Sequence, residues 1–208
     1  MLNSQGFDLW ADGYDRSVGL SDDDGSYPFA GYKKVLNALY NEILSVPKAE
    51  VLDIGFGTGT LTTMLYKQGC SIWGQDFSSR MIELAQEKMP GAHFVQGDFT
   101  EGLAQSLRAQ KYDYIVATYS LHHLTDAEKI PFIRSLLPLL KPGGKLLIGD
   151  VAFRTRAELE ACKKISGDEW DGDEYYFVYD ELLPAFSGKP EFQKMSHCAG
   201  ILTIGTET

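Results

Sequence analysis

The feature that most constrains this chain is the run Val51-Leu-Asp-Ile-Gly55-Phe-Gly57-Thr-Gly59-Thr-Leu61. An apolar stretch breaks into glycines at alternate positions, and Leu61, Met64 and Leu65 follow at helical spacing. Glycines at a strand-to-helix turn permit positive φ and let a ligand lie close to the backbone.

The same alternation continues down the chain. Strands are predicted at 50–54, 71–76, 92–96, 112–117 and 145–151, with amphipathic helices between them. Gly69 and Pro90 stop the first two of these helices, and Thr125 with Glu128 forms a capping box that opens a third. Pro131 falls inside that third helix, where a kink or restart is expected, and Lys141-Pro-Gly-Gly144 reads as a turn. Strand–helix alternation of this kind implies a parallel sheet covered on both faces. Tyr32, Val35, Leu36, Leu39 and Ile43 mark a helix before the core. Helices near 156–165 and 179–186 follow the core, then two apolar runs, Phe192–Cys198 and Ile201–Ile204, as an antiparallel pair. Residues 1–208 read as one domain: an N-terminal lid and helix (1–48), a ligand-binding core (49–151) and a C-terminal acceptor side (152–208).

The chain carries 19 Lys and Arg against 29 Asp and Glu, a net charge of −10. Nucleic-acid phosphates and anionic membranes both select basic surface, so neither is an expected partner. Cys70, Cys162 and Cys198 are odd in number, far apart and without zinc-ligand spacing. They read as buried small side chains in a reducing compartment. The opening MLNSQGFDLWADGYD lacks the basic and apolar regions of a signal peptide. No run approaches the roughly 18 apolar residues of a membrane helix, and a cytoplasmic location is expected.

Asp76 closes the second strand 21 residues after Gly55. An acid at that distance is placed to accept both hydroxyls of an adenosine ribose. The third strand leads into Gly97-Asp98-Phe99, where Asp98 suits an adenine amino group and Phe99 the face of the ring. All three features fall at C-terminal strand ends, the edge where open α/β sheets bind ligands. The G-x-G-x-G spacing departs from the dinucleotide fingerprint, whose third glycine would fall on Thr60. Asp53 stands where that fingerprint has an apolar residue, so an NAD-dependent oxidoreductase is the weaker alternative.

On these segments the chain resembles the class I S-adenosylmethionine-dependent methyltransferases. VLDIGFGTGTL is similar to the first motif of that family, IWGQDFS to its acidic second and VQGDF to its third; YDYIVATYSLHHL and LLKPGGKLLIGDV match the fourth and fifth regions. The resemblance covers residues 49–151, and the opening FDLWADGYD looks like that of a subgroup of short single-domain bacterial methyltransferases. It implies a Rossmann-like, doubly wound α/β fold: a seven-stranded sheet in order 3-2-1-4-5-7-6, the last strand antiparallel, with helices on both faces. It also implies S-adenosyl-L-methionine as cofactor, with Gly55 and Gly57 against its methionine part, Asp76 on the ribose and Asp98 on the adenine. Asp53, Phe77, Phe99, Thr118 and Tyr14 complete the expected cofactor-binding set. A non-catalytic protein that binds the same cofactor would share these motifs.

Methyl transfer from a sulfonium is an in-line displacement with the leaving group already in place. The protein therefore contributes proximity, orientation and removal of water. The acceptor side is expected in the segment Thr118-Tyr-Ser-Leu-His122-His123-Leu124. Amino-methyltransferases of nucleobases or protein glutamine usually carry an Asn/Asp-Pro-Pro-aromatic motif here, which Ala117-Thr-Tyr-Ser120 lacks. A small-molecule acceptor is expected instead. His122 and His123 are the candidate catalytic residues, as base or acceptor contact, because imidazole titrates near neutral pH. No metal is expected on two adjacent histidines, and the acidic ligands of magnesium-dependent oxygen-methyltransferases are not identifiable. Residues 1–31 hold six acids and one base, and 166–181 seven acids and no base. With Trp10, Tyr14, Tyr32, Trp170, Tyr175 and Tyr176 they are expected to form an acidic, aromatic lid, with Tyr14 as its cofactor contact.

Overall fold

A computed structural model describes residues 25–186 and 190–205. α1 (Tyr32–Ile43) precedes β1 (Glu50–Ile54), α2 (Thr60–Lys67), β2 (Ser71–Asp76), α3 (Ser79–Lys88) and β3 (His93–Gln96). A short α4 (Gln105–Arg108) leads to β4 (Tyr112–Thr118), α5 (Asp126–Leu136), β5 (Leu140–Phe153) and α6 (Arg156–Ser166). β6 (Phe177–Val178), α7 (Tyr179–Leu182), β7 (Glu191–Lys194) and β8 (Ala199–Gly205) complete the described chain.

The strands lie in the order β3-β2-β1-β4-β5-β8-β7. β1 to β5 pair in parallel, and β8 runs antiparallel to both β5 and β7. This is the expected arrangement with one addition, β6, which pairs with the far end of β5. Two residues are too few to carry a readable periodicity.

Alternation along the strands sorts the apolar residues into two cores, one on each face. From β4, Tyr114 and Val116 join Val35 and Leu39 of α1 and Leu65 of α2. Ile115 and Ala117 join Ile133 and Leu136 of α5. Full burial of an aliphatic side chain stabilises by roughly 1.5–3 kcal/mol, so these alternating residues hold the helices to the sheet.

Three local expectations are corrected. Lys141–Gly144 is part of β5: Tyr112 pairs with Leu140, and the register then shifts before Tyr114 meets Lys145. The glycines are thus absorbed as a bulge, which tolerates an uneven residue count. α5 runs through Pro131 as one helix behind its Thr125–Glu128 capping box. Proline removes one backbone hydrogen bond, which burial of Phe132, Ile133 and Leu136 offsets. The helix expected near 179–186 is shorter, because α7 gives way to a 3-10 turn at Leu183–Ala185, around Pro184.

The lid expectation falls mostly on residues 1–24, which lie outside the described residues, as do Trp10 and Tyr14. The described end of that segment is packed structure, with Tyr27 and Ala30 buried in the core. All three cysteines are buried and free of disulfides. Among the described residues no helix is long and apolar enough to cross a membrane.

Candidate active site

The glycine turn after β1 does two different jobs. Gly55 has φ +67°, and a Cβ built on it would fall 2.6 Å from the Cβ of Ser120. The ends of β1 and β4 therefore close tightly, with the Ser120 hydroxyl donating to the Ile54 carbonyl at 2.7 Å. Gly57 has φ +55°, but a Cβ there would meet nothing within 4 Å. Gly57 borders a cleft at the C-terminal edge of the sheet.

Asp76, at the end of β2, forms part of the cleft wall. One carboxylate oxygen accepts the Gly57 N–H at 2.8 Å and the other the Ser78 N–H at 3.0 Å. Asp76 thus ties the glycine turn to the start of α3, where the Ser78 hydroxyl caps the helix by accepting from Met81 N–H. Next to it, buried Gln75 pins the loop after β3. It donates to the Gly102 carbonyl at 3.0 Å and accepts from Ala104 N–H at 2.9 Å. That loop carries Phe99 into the cleft wall, which also includes Phe77 and Thr118.

Asp98 and Asp53 stand apart from that wall. Asp98 is exposed and caps the turn behind it, accepting from Thr100 N–H at 2.8 Å. Asp53 is fully buried beneath the glycine turn, and neither oxygen finds a partner at hydrogen-bond geometry among the described residues. Burial pushes its carboxyl up to about 8, with the charge of Asp76 acting in the same direction and the neighbouring Thr62 hydroxyl opposing.

At the other end, Tyr119 adopts φ +50° directly after β4, an uncommon backbone state for a bulky residue. Its ring lies 5.1 Å from that of Tyr32, and both line the cleft together with His123. His122 points away into a polar cluster. Its Nδ1 lies 2.7 Å from Asp150 Oδ1, and its Nε2 lies 3.4 Å from Glu174 Oε1. The Tyr176 hydroxyl donates to Glu174 Oε2 at 2.7 Å and also contacts the hydroxyl of Tyr27. Trp170 stacks on Tyr27 with ring centroids 5.1 Å apart. The acidic aromatic segment therefore does pack against the histidines, while Tyr175 is exposed.

The two imidazoles are driven apart electrostatically. Burial lowers His122, but the charge and hydrogen bond of Asp150, with Glu174 behind them, outweigh it and hold the ring above its ordinary value. Burial takes His123 down to about 4, and the charge on His122 adds to that effect. Asp150 was open to sequence reasoning, because it stands near the C-terminal end of a core strand as Asp76 does. Tyr119 lay within the expected acceptor segment, whereas Glu174 was one of seven acids in 166–181 with nothing to single it out.

The sequence profile of the methyltransferase domain matches residues 51–144. An uncharacterized methyltransferase of Geobacillus kaustophilus is 36% identical over 189 residues, covering 87% of this chain and 85% of the relative. The chain belongs to the methyltransferase family. A further relative, an uncharacterized methyltransferase of Alkaliphilus oremlandii, is 31% identical over 86% of this chain and 79% of its own length. Among solved structures, magnesium protoporphyrin IX methyltransferase from Synechocystis, with bound SAH, superposes at TM-score 0.68 and 21% identity over 86% and 85% of the two chains. The N-methyltransferase NodS from Bradyrhizobium japonicum, in complex with S-adenosyl-L-homocysteine, superposes at 0.63 and 16% identity over 86% and 89%. These neighbours share the fold. In this methyltransferase the glycine turn, Asp76, Phe99 and His123 meet around one cleft.

Proposed function

We propose that this enzyme transfers a methyl group from S-adenosylmethionine to a small-molecule acceptor in the cytoplasm. The methyl donor is S-adenosylmethionine, which supplies a methyl group on a sulfonium that leaves as a neutral thioether. The carrying observation is the Asp76 carboxylate, held by two backbone N–H groups at the wall of the cleft. A carboxylate is an acceptor with several lone-pair sites, the chemistry that two ribose hydroxyls require at that wall. The open space at Gly57 suits the methionine part, and Phe77 and Phe99 suit the adenine. Asp98 is the proposed partner of the adenine amino group. Asp53 does not reach the cleft and acts through the turn it underlies.

The acceptor belongs at the Tyr32, Tyr119 and His123 end of the cleft. His123 is the proposed catalytic contact, and His122, buried behind it, is a positioning residue. A net charge of −10 disfavours a nucleic-acid acceptor. The test is ligand-dependent melting. S-adenosylhomocysteine should raise the melting temperature, as a native-state ligand does, and NAD and NADP should not. A larger shift with either nicotinamide cofactor would overturn the reading.

A further inference from the structure

We propose that His122, His123 and Glu174 form a binding site for a divalent first-row transition-metal ion, best matched by zinc, beside the acceptor end of the cleft. One nitrogen of each histidine and one oxygen of Glu174 lie within 4.8 Å of one another. His122 Nε2 and Glu174 Oε1 are 3.4 Å apart. Two ligands on a tetrahedral ion with bonds of about 2.0–2.1 Å stand roughly 3.3–3.4 Å apart, so this pair already has the required separation.

The surroundings fix the ligands as a metal site requires. Asp150 is fully buried, and its Oδ1 lies 2.7 Å from both His122 Nδ1 and the Val151 N–H. With the proton on Nδ1, the lone pair of Nε2 is left for an ion, the carboxylate–histidine–metal arrangement that orients a ligating ring. Glu174 is held in the same way, since its Oε2 accepts from the Tyr176 hydroxyl and leaves Oε1 for the ion. The nearest buried cation, Lys129, is engaged elsewhere, by Asp126 and the Tyr175 carbonyl. Two carboxylates against two imidazoles also supply the negative charge that a divalent ion needs. The competing occupant is a proton on Nε2, shared with Glu174. The histidines are adjacent in sequence, and the fold brings the third ligand from 51 residues downstream.

Two imidazoles and a carboxylate leave a fourth coordination position, the pattern of catalytic zinc sites. His123 belongs both to the cluster and to the cleft wall, so that position adjoins the cleft. An acceptor hydroxyl, amine or thiol bound there would lose its proton more readily. That role rests on the proposed methyl transfer, whereas the binding of metal does not.

The test is calorimetric titration of the chelator-treated full chain with zinc chloride, without cofactor. One equivalent should bind. His123→Ala and Glu174→Gln should each weaken binding at least about 100-fold, and Asp150→Asn about 10- to 100-fold. Cobalt(II) added to the wild-type protein should give the visible absorption of a four-coordinate nitrogen–oxygen site, a readout that needs no variant to fold. Absence of stoichiometric binding, binding retained in folded His123→Ala and Glu174→Gln, or a thiolate charge-transfer band would each overturn the site. Because cofactor takes no part, failure here is distinguishable from failure of the methyl-transfer reading.

Discussion

At the Asp76 end of the cleft, the working groups sit within a few residues of a strand end, and backbone N–H groups hold the key carboxylate. At the His123 end, residues 122, 150 and 174 come from three separate segments and are held through side chains. The first arrangement can be written as a contiguous motif. The second exists only after the chain folds, so its parts vary without leaving a local pattern. The two ends should therefore fail differently when altered.

The largest effect is expected where the two ends touch. Gly55→Ala drives a Cβ to 2.6 Å from that of Ser120 at φ +67°. Overpacking and left-handed strain together should lower stability by about 2–4 kcal/mol, read by urea denaturation. A near-neutral result would mean that β1 and β4 do not close as described. Next comes Asp76→Ala, which removes a charge-assisted acceptor for two hydroxyls, worth about 2–3 kcal/mol. Calorimetry should show S-adenosylhomocysteine binding roughly 30- to 150-fold weaker in a folded protein. Unchanged affinity would remove Asp76 from the cofactor site.

These two residues also show why one half was legible. Gly55 and Asp76 announce themselves by residue type at a strand end; alternation implied the parallel sheet, and the resemblance implied its strand order. Local propensity missed β6, and of the kink or restart expected at Pro131 the restart does not occur, since α5 continues through it. On the acceptor side, the histidines were visible as residues but their partners were not. Nothing in sequence links His122 to Asp150 or Glu174, and only the β4–β5 pairing and the packing of 170–176 do so.

Smaller effects sharpen the contrast. Gly57→Ala has space for its Cβ and should lose only about 1 kcal/mol of stability, from positive φ alone. Its affinity for S-adenosylhomocysteine should fall further than its stability, because that space is the ligand's. The last change is read as a slope. Asp53 is raised from 3.8 to about 8 in the folded protein, so between these values the unfolded chain holds fewer protons than the native one. Stability should therefore fall as pH rises from about 4 to 8, and Asp53→Asn should flatten that slope. Melting curves across this range with identical slopes for both proteins would contradict the buried, protonated state.

The central claim is that one cleft holds the donor at Asp76 and a small acceptor at His123. Its most direct test is transfer of labelled methyl from S-adenosylmethionine into a metabolite extract, comparing wild-type protein with His123→Ala at saturating cofactor. The account predicts label in the low-mass fraction and a rate at least about 100-fold lower in the variant, with cofactor affinity within a few-fold of wild type. Equal rates in the two proteins, or label confined to protein or nucleic acid, would contradict it.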